Sequence, residues 1–320
     1  MLKSQTGWGI YMEDKISQEE LVPVKFGGPD NNCSLYEKSK VAIVPVPYGK
    51  TVTYKKGTEN GPRAILEAST KVELFDDELA KETYKIGIHT AGELEVQNLD
   101  SPEMVAQVEK KVSSLIKDDK FPVLIGGEHS ISIGAVKALL KSHKDLNVFY
   151  LDAHYDLRDI YRDSKLNHAC VARRISEMCP TVIVGTRSLS REEKNFLPNP
   201  NINVFNVYDI LDMPNWREKI NETLSENVYI SIDLDVFDLS IMPSVGTPEP
   251  GGMGWYEVLD LIRFVIQRKN IVGFDVVELS PIKDMIAPDF LAAKLVYRLL
   301  GYQFALNNKR ITPKKEGNDS

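Results

Sequence analysis

The 320-residue sequence has few cysteines, no long apolar run and no excess of positive charge. Its three cysteines, Cys33, Cys170 and Cys179, are too few and too scattered for a disulfide framework or a cysteine-rich zinc site. No apolar run approaches the length of a membrane span, and residues 1–20 lack the apolar centre of a signal peptide. These absences predict a cytoplasmic protein with no membrane partner.

The charge balance restricts the possible partners further. Acidic residues outnumber basic ones by 46 to 39, so the net charge is −7. Nucleic-acid binding requires a positively charged surface, and this balance therefore argues against a nucleic-acid partner. An acidic surface would tolerate a small cationic molecule. Hydrophobic residues make up 42% of the chain, which is enough for a sizeable core.

Short apolar runs alternate with amphipathic segments along most of the chain. Seven runs without polar alternation predict buried strands, at residues 40–48, 121–127, 146–154, 181–188, 201–207, 227–237 and 270–281. Helical patterns lie between or after them, at residues 60–70, 101–116, 132–143, 214–225, 255–268 and 288–305. Two helix starts carry local signals, because Pro62 suits a first turn and Ser101, followed by Pro102, is predicted as a cap.

Apolar strands joined by helices imply a parallel sheet that is covered on both faces. We therefore predict an α/β protein with a single three-layer α/β/α domain over residues 35–307. An N-terminal extension would occupy residues 1–34, and a polar C-terminal tail residues 308–320.

Polar residues collect directly after several predicted strands, at the edge where ligands bind in open parallel sheets. They are Glu128 and His129 after one strand, Asp152, His154 and Asp156 after the next, Asp233 and Asp235 with Asp238 beyond them, and Glu278 at the end of the last strand. In an extended segment alternate side chains share a face, so residues 152, 154 and 156 can converge, as can 233 and 235. Converging carboxylates need a compensating cation, and two metal ions could share them while lowering the pKa of a bridging water.

Each of these signals also has a simpler interpretation. Alone, the acidic residues around His154 could form a capped turn or a solvated loop, and the Asp233–Asp235 pair could begin a loop. His129 alone could be a satisfied histidine in a turn. Three such signals at the ends of three strands favour a metal site. Oxygen ligands with two imidazoles suit Mn²⁺ or a similar divalent ion better than a metal that prefers thiolates.

The motifs resemble the signatures of the ureohydrolase family, which includes arginase and agmatinase. The three principal matches are GGEHS (126–130), DAHYD (152–156) and SIDLDVFD (231–238), and four further matches are GTENGPRAILEAS (57–69), VGTRSLSREE (184–193), GTPEPGG (246–252) and VVELSP (276–281). The resemblance covers most of the chain. It implies a single arginase-like α/β/α domain with an eight-stranded, mostly parallel sheet, in a homo-oligomer that is a trimer or a hexamer.

The resemblance also implies roles for individual residues. The six ligands of a binuclear manganese cluster would be His129, Asp152, His154, Asp156, Asp233 and Asp235. Asp152 and Asp233 would bridge the two ions, with His129 and Asp156 completing one coordination sphere and His154 and Asp235 the other. Asp156 would also steer the attacking oxygen. His168 matches a mobile proton-shuttling histidine, although taken alone it resembles a histidine at a helix start, and Glu278 matches the carboxylate that pairs with the substrate guanidinium.

Several positions depart from the family pattern. Glu128 stands where Asp is common, and Leu239, Met242 and Ser244 replace a proline-rich run, so the shape of that loop is open. Residues 157–167 lack the stretch with which arginases hold an amino-acid head group, and the Asp-Leu-Arg-Asp run at 156–159 is closer to agmatinases.

The resemblance therefore implies hydrolysis of agmatine, a small cationic guanidino compound, to putrescine and urea. The alternatives are hydrolysis of arginine, guanidino acids, guanidine or aminopropylagmatine, with the formiminoglutamate branch less favoured. A member of another class, a metal-binding regulatory or scaffolding protein without catalysis, would have no need of all eight residues.

Overall fold

The computed structural model describes residues 24–28 and 32–306. Most of the predicted N-terminal extension and the whole of the predicted C-terminal tail lie outside the described residues. The boundaries of the domain at 35 and 307 therefore stay a prediction. No helix within the described ranges is long and apolar enough to cross a membrane.

The described chain alternates between strands and helices, as the apolar pattern predicts. The strands are β1 (Val41–Val46), β2 (Phe75–Asp76), β3 (Lys81–Glu82), β4 (Ile88–Thr90), β5 (Phe121–Gly126), β6 (Leu146–Leu151), β7 (Thr181–Val184), β8 (Ile202–Phe205), β9 (Asn227–Asp233) and β10 (Asn270–Val277). The helices are α1 (Gly61–Ser69), α2 (Ser101–Lys117), α3 (Ser132–Leu140), α4 (Val171–Ser176), α5 (Arg191–Phe196), α6 (Val207–Asp212), α7 (Trp216–Thr223), α8 (Trp255–Ile266) and α9 (Ala287–Ala305).

Eight of these strands form one sheet in the order β4-β1-β5-β10-β9-β6-β7-β8. Every pairing within it is parallel. The prediction of an eight-stranded parallel sheet is thus confirmed. The edge strand β4 has only three residues, which is too short for its apolar pattern to stand out. The two-residue strands β2 and β3 pair separately as an antiparallel hairpin.

Hydrophobic residues pack on both faces of the sheet, which gives the three predicted layers. Along β1, Ile43 belongs to one buried cluster and the next residue, Val44, to the other, because successive side chains of a strand point to opposite faces. Helices α1, α8 and α9 pack into the first cluster, and α2, α3 and α4 into the second. Strands buried on both sides need apolar residues at every position, and this explains the absence of polar alternation.

The cap of helix α2 differs from the prediction. Asp100, and not Ser101, caps this helix: its side chain accepts a hydrogen bond from the backbone N–H of Glu103 at 2.9 Å, and Glu103 Oε2 accepts one from the backbone N–H of Asp100 at 3.0 Å. Asp100 has extended backbone angles, whereas Ser101 already lies within the helix. The reciprocal pair satisfies two backbone donors, which a cap at Ser101 would not achieve, because the third helical residue would then be Met104 in place of Glu103. Pro62 lies in the first turn of α1, as predicted.

Candidate metal centre

Four neighbouring strands in the middle of the sheet, β5, β10, β9 and β6, end at one edge of it. His129 follows β5, Glu278 follows β10, Asp233 ends β9 and Asp152 follows β6. These residues are far apart in the sequence, but they become neighbours because parallel strands present their carboxyl ends on the same side. The backbones of Asp156 (φ 49°) and Glu278 (φ 66°) adopt left-handed angles that residues other than glycine rarely take.

A first group of ligand-type side chains surrounds His129. Its Nδ1 lies 3.2 Å from Asp152 Oδ2, 3.3 Å from Asp233 Oδ2 and 3.8 Å from Asp156 Oδ2. His129, Asp152 and Asp233 each offer an atom within 4.8 Å of the others, and all three are buried. An ion placed among them would have one nitrogen and several oxygen donors.

A second group surrounds His154 and shares Asp152 with the first. His154 Nδ1 lies 2.9 Å from Asp235 Oδ2 and 3.5 Å from Asp152 Oδ1. Asp152 thus faces His129 with one oxygen and His154 with the other, which is the position of a carboxylate that could bridge two ions. Asp233 belongs to the first group, and its Oδ1 accepts a hydrogen bond from the backbone N–H of Asp235 at 2.8 Å. The bridging role of Asp233 stays a prediction.

The electrostatics of the two groups require a cation. Burial raises the pKa values of Asp156 and Asp233 well above their usual range, and neighbouring carboxylates raise them further. Burial alone would lower the pKa of His129, but Asp152 and Asp233 raise it well above its ordinary value. A cation beside these aspartates would therefore stabilise their charged forms, and the imidazoles of His129 and His154 lie close to them.

Two buried carboxylate oxygens, Asp152 Oδ2 and Asp235 Oδ2, accept no hydrogen bond from any described residue. A buried acceptor without a partner is costly, and the nearest polar atoms are the imidazole nitrogens of the two groups. Four aspartates and two histidines form a set of hard oxygen and imidazole donors that suits a divalent metal ion. The residues present therefore fit a pair of such ions.

His129 is held in one orientation by residues that sequence reasoning missed. Its Nε2 lies 2.8 Å from Ser231 Oγ, which in turn donates to Asp275 Oδ1 at 2.8 Å. On the other side the ring of Tyr150 stacks on the imidazole, and the Tyr150 hydroxyl donates to Asp156 Oδ2 at 2.7 Å. With Nε2 bonded to the serine hydroxyl, Nδ1 faces the aspartates. Ser231 lies within the SIDLDVFD motif and Tyr150 within the apolar run at 146–154, but only the packing of neighbouring strands shows that they contact His129.

Arg187 connects three of the loops that carry this cluster, and its part also went unrecognised in the sequence. Its guanidinium donates to the backbone carbonyl oxygens of Asp235 at 2.7 Å, Glu249 at 2.8 Å and Pro250 at 2.9 Å. Its backbone N–H donates to the carbonyl oxygen of Ala153 at 2.8 Å. Arg187, in the VGTRSLSREE motif, thus links the loops that hold Asp152 and Asp235 by hydrogen bonds.

Glu278 lies beside the cluster without belonging to either ligand group. Its Oε1 accepts a hydrogen bond from the backbone N–H of His129 at 2.8 Å. A Cβ atom on Gly246 would lie 3.2 Å from its Oε2, so a side chain at this position would crowd the carboxylate. Burial raises the pKa of Glu278 well above its usual value, and the nearby Glu128 adds to the effect. A cationic partner would therefore stabilise the charged form of Glu278.

His168 begins a short helical turn and is buried next to Glu278, with Nδ1 at 3.8 Å from Glu278 Oε1. Burial lowers the pKa of His168 to about 4. A cavity of about 150 Å³ opens here, and its lining includes Thr53, His154, Asp156, Arg158, Tyr161, His168, Asp233 and Thr247. The structure thus brings all eight predicted site residues to one edge of the sheet.

The other two acidic residues of the strand-end motifs point elsewhere. Glu128 is fully buried and accepts hydrogen bonds from Thr51 and Ser130. Asp238 accepts hydrogen bonds from Ser240 and from the backbone N–H of Gly252, which shapes the loop that departs from the family pattern. Neither carboxylate belongs to a ligand group.

Comparisons with known proteins agree with this geometry. The sequence model described as the arginase family matches residues 39–301. The N(1)-aminopropylagmatine ureohydrolase of Synechocystis is 40% identical over 86% of this chain and 93% of the relative, and the agmatinase of Pyrococcus horikoshii is 38% identical over 81% and 90%. The crystal structure of the agmatine ureohydrolase of Thermoplasma volcanium superposes with a TM-score of 0.80 at 31% identity, covering 91% of this chain and 98% of the other.

Proposed function

Because the chain belongs to the arginase family, and is therefore a metal-dependent hydrolase of guanidino compounds, we propose that it hydrolyses agmatine to putrescine and urea with two Mn²⁺ ions. The observation that carries the proposal is the pair of ligand groups that share Asp152 beside Glu278 and His168. A guanidinium bound to Glu278 would lie next to both groups.

The ligands divide into two sets in this proposal. His129 and Asp156 would hold one ion, His154 and Asp235 would hold the other, and Asp152 and Asp233 would be shared. The distances around His129 and His154 support the division. The predominance of aspartate oxygens favours Mn²⁺ over a metal that prefers thiolates. The two ions would supply the Lewis acidity that lowers the pKa of a water molecule.

Three side chains handle the substrate. Glu278 binds the planar guanidinium by charge-assisted hydrogen bonds and turns its carbon toward the cluster. Asp156 orients the water that attacks this carbon, and the Tyr150 hydroxyl holds the Asp156 side chain by donating to its Oδ2. His168 accepts at one ring nitrogen a proton that the attacking water releases, and it gives this proton to the nitrogen of the departing amine as the bond from that nitrogen to the guanidinium carbon breaks. Urea then carries the former guanidinium carbon, and the free diamine is putrescine.

A second candidate substrate is N(1)-aminopropylagmatine. Two of the similar relatives, from Synechocystis at 40% identity and from Thermococcus kodakarensis at 37%, bear the name of its ureohydrolase. Tyr54 and Ile160 are exposed apolar residues that directly adjoin the cavity-lining Thr53 and Tyr161 in sequence, and we propose them as contacts for a longer aliphatic chain. Both candidates present the same guanidino group to Glu278, so the site chemistry is unchanged.

Urea release from a panel of guanidino compounds tests the proposal. The Mn²⁺-loaded protein would be assayed with agmatine, N(1)-aminopropylagmatine, arginine, 4-guanidinobutyrate and guanidine. We expect the highest kcat/KM with agmatine or its aminopropyl derivative, and a much lower value with arginine. Comparable values for arginine and agmatine would contradict the polyamine assignment, and no urea from any compound would indicate a family member without catalysis.

The assembly and the cellular location are also proposals. We expect a homo-oligomer, a trimer or a hexamer, in the cytoplasm. Sedimentation of the full-length protein distinguishes these states from a monomer.

A further inference from the structure

One loop holds both the backbone and the side chain of His168. This loop carries two threonines at alternating positions, Thr51 and Thr53. The backbone N–H of His168 donates to Thr51 Oγ1 at 2.9 Å, and His168 Nε2 lies 3.1 Å from Thr53 Oγ1. The family resemblance implied a mobile histidine, whereas these two contacts tie His168 to the loop.

The loop is itself anchored, so the two threonines are fixed points. Thr51 donates to the buried carboxylate of Glu128 through both its backbone N–H and its hydroxyl, each at 2.6 Å. Arg162 Nη2 donates to the carbonyl oxygen of Thr53 at 2.9 Å. A fully buried carboxylate with several hydrogen bonds is a rigid support. The position of Thr53 Oγ1 therefore does not depend on a flexible surface loop.

The two nitrogens of His168 face different partners. Nε2 faces the Thr53 hydroxyl, whereas Nδ1 faces Glu278 Oε1 at 3.8 Å. Since Glu278 is the proposed guanidinium partner, Nδ1 is the nitrogen on the side of the substrate. A neutral imidazole carries one proton, and it can accept another at Nδ1 only if the first is on Nε2.

We propose that Thr53 is a positioning residue, whose hydroxyl accepts a hydrogen bond from His168 Nε2–H and so confines proton exchange to Nδ1. The Nε2–H bond persists in the neutral and the protonated ring. The proton gained at Nδ1 is the one that passes to the nitrogen of the departing amine, after which the ring returns to its neutral form. His129 follows the same pattern, with Nε2 against Ser231 Oγ and Nδ1 toward the reacting side. The inference rests on the proposed function of His168.

Three variants distinguish the effect of the Thr53 hydroxyl from the effect of the shape of the Thr53 side chain. Thr53→Val keeps the size but removes the acceptor, Thr53→Ser keeps the acceptor, and Thr58→Val is a matched control. The Thr58 hydroxyl is buried on the same loop and makes no hydrogen bond with any described residue, so its loss should leave activity unchanged. We expect Thr53→Val to lower kcat by about 3- to 10-fold with KM and manganese content unchanged, as one hydrogen bond allows. Thr53→Ser should restore kcat to within about 2-fold of the wild type.

The tautomer of His168 provides a readout that does not depend on activity. The chain has only five histidines, so ¹⁵N-labelling of histidine in the metal-free protein gives a spectrum that the His168→Asn variant assigns. We expect Nε2 to be the protonated nitrogen in the wild type and Thr53→Ser, and a mixture of tautomers in Thr53→Val. An unchanged tautomer in Thr53→Val, or a loss of manganese from it, would overturn the inference.

The same experiment distinguishes a failure of the inference from a failure of the proposed function. If His168→Asn loses activity while Thr53→Val retains it, His168 transfers protons without help from Thr53, and the inference alone fails. If His168→Asn keeps both its manganese and its kcat, the proposed role of His168 fails, and the inference fails with it.

Discussion

Acidic residues gather at two places in the molecule, and they are neutralised in different ways. On α9, Arg298 Nη1 lies 2.9 Å from Asp76 Oδ1 and 2.7 Å from Glu78 Oε2, and its Nη2 lies 3.2 Å from Asp77 Oδ1. At the carboxyl edge of the sheet, no lysine or arginine of the described chain lies within 4.0 Å of the ligand-group carboxylates, and the ionisable bases beside them are the imidazoles of His129 and His154.

This difference in the neutralising groups distinguishes the cluster that needs a cation from solution from the cluster that does not. Asp76 also has one buried oxygen without a hydrogen bond, so an unsatisfied oxygen is not by itself a sign of a metal site. The distinguishing feature is the fixed positive charge of Arg298, which neutralises Asp76 permanently, whereas an imidazole can lose its proton. We therefore interpret the Arg298 cluster as structural and propose that the cluster around Asp152 is the site for divalent cations.

The largest effect is expected from Asp233→Asn. This change removes a charge from the cluster but keeps the size of the side chain, so one ion loses a ligand and the other loses its proposed bridge. We expect the turnover of agmatine to fall by about 10³-fold, the equivalent of several kcal/mol of Lewis-acid stabilisation. Metal analysis of the purified variant should give fewer than two ions per chain.

Asp76→Asn is the matched control, because it makes the same chemical change in the cluster that Arg298 neutralises. We expect it to keep two ions per chain and normal turnover. If Asp233→Asn also kept both ions and near-normal turnover, the assignment of the cluster would be wrong.

An intermediate effect is expected from Glu278→Gln, which preserves the shape but removes the charge that faces the guanidinium. We expect kcat/KM for agmatine to fall by a factor on the order of 10², since a charge-assisted hydrogen bond becomes a neutral one. Steady-state kinetics with agmatine, together with metal analysis, measure the effect. Glu278 is not in a ligand group, so a loss of metal from this variant would show that Glu278 supports metal binding and that its assignment as the guanidinium partner alone is wrong.

The smallest effect on activity is expected from Arg298→Met. Removing the guanidinium leaves the Asp76 carboxylate buried and unpaired, so we expect the free energy of unfolding to fall by about 3–5 kcal/mol. The folded protein should retain its metal content and its kcat, because Arg298 does not contact the ligand groups. Denaturant unfolding and kinetics on one preparation measure both quantities, and a kcat reduced together with stability would mean that the two clusters are coupled.

Local patterns in the sequence were sufficient for seven of the eight strands and for the polar residues that follow them, whereas the count of eight strands and the roles of His168 and Glu278 came from the family resemblance. Apolar runs predicted the long strands, and the position of His129, Asp152 and Asp233 after such runs predicted where they meet. The three-residue strand β4 has too little pattern to predict. The support from Thr53 and Arg187 depends on hydrogen bonds between loops that are distant in sequence, and no local pattern encodes those.

The central claim is that the cluster around Asp152 binds two divalent ions, and titration of the chelator-treated full-length protein with Mn²⁺ tests it most directly. Calorimetry and urea release from agmatine would be followed on the same samples. We predict two ions bound per chain, no urea release without metal, and recovery that is greater with Mn²⁺ than with Zn²⁺. The binding of fewer than two ions by the wild-type chain, or urea release that survives complete removal of metal, would contradict the account.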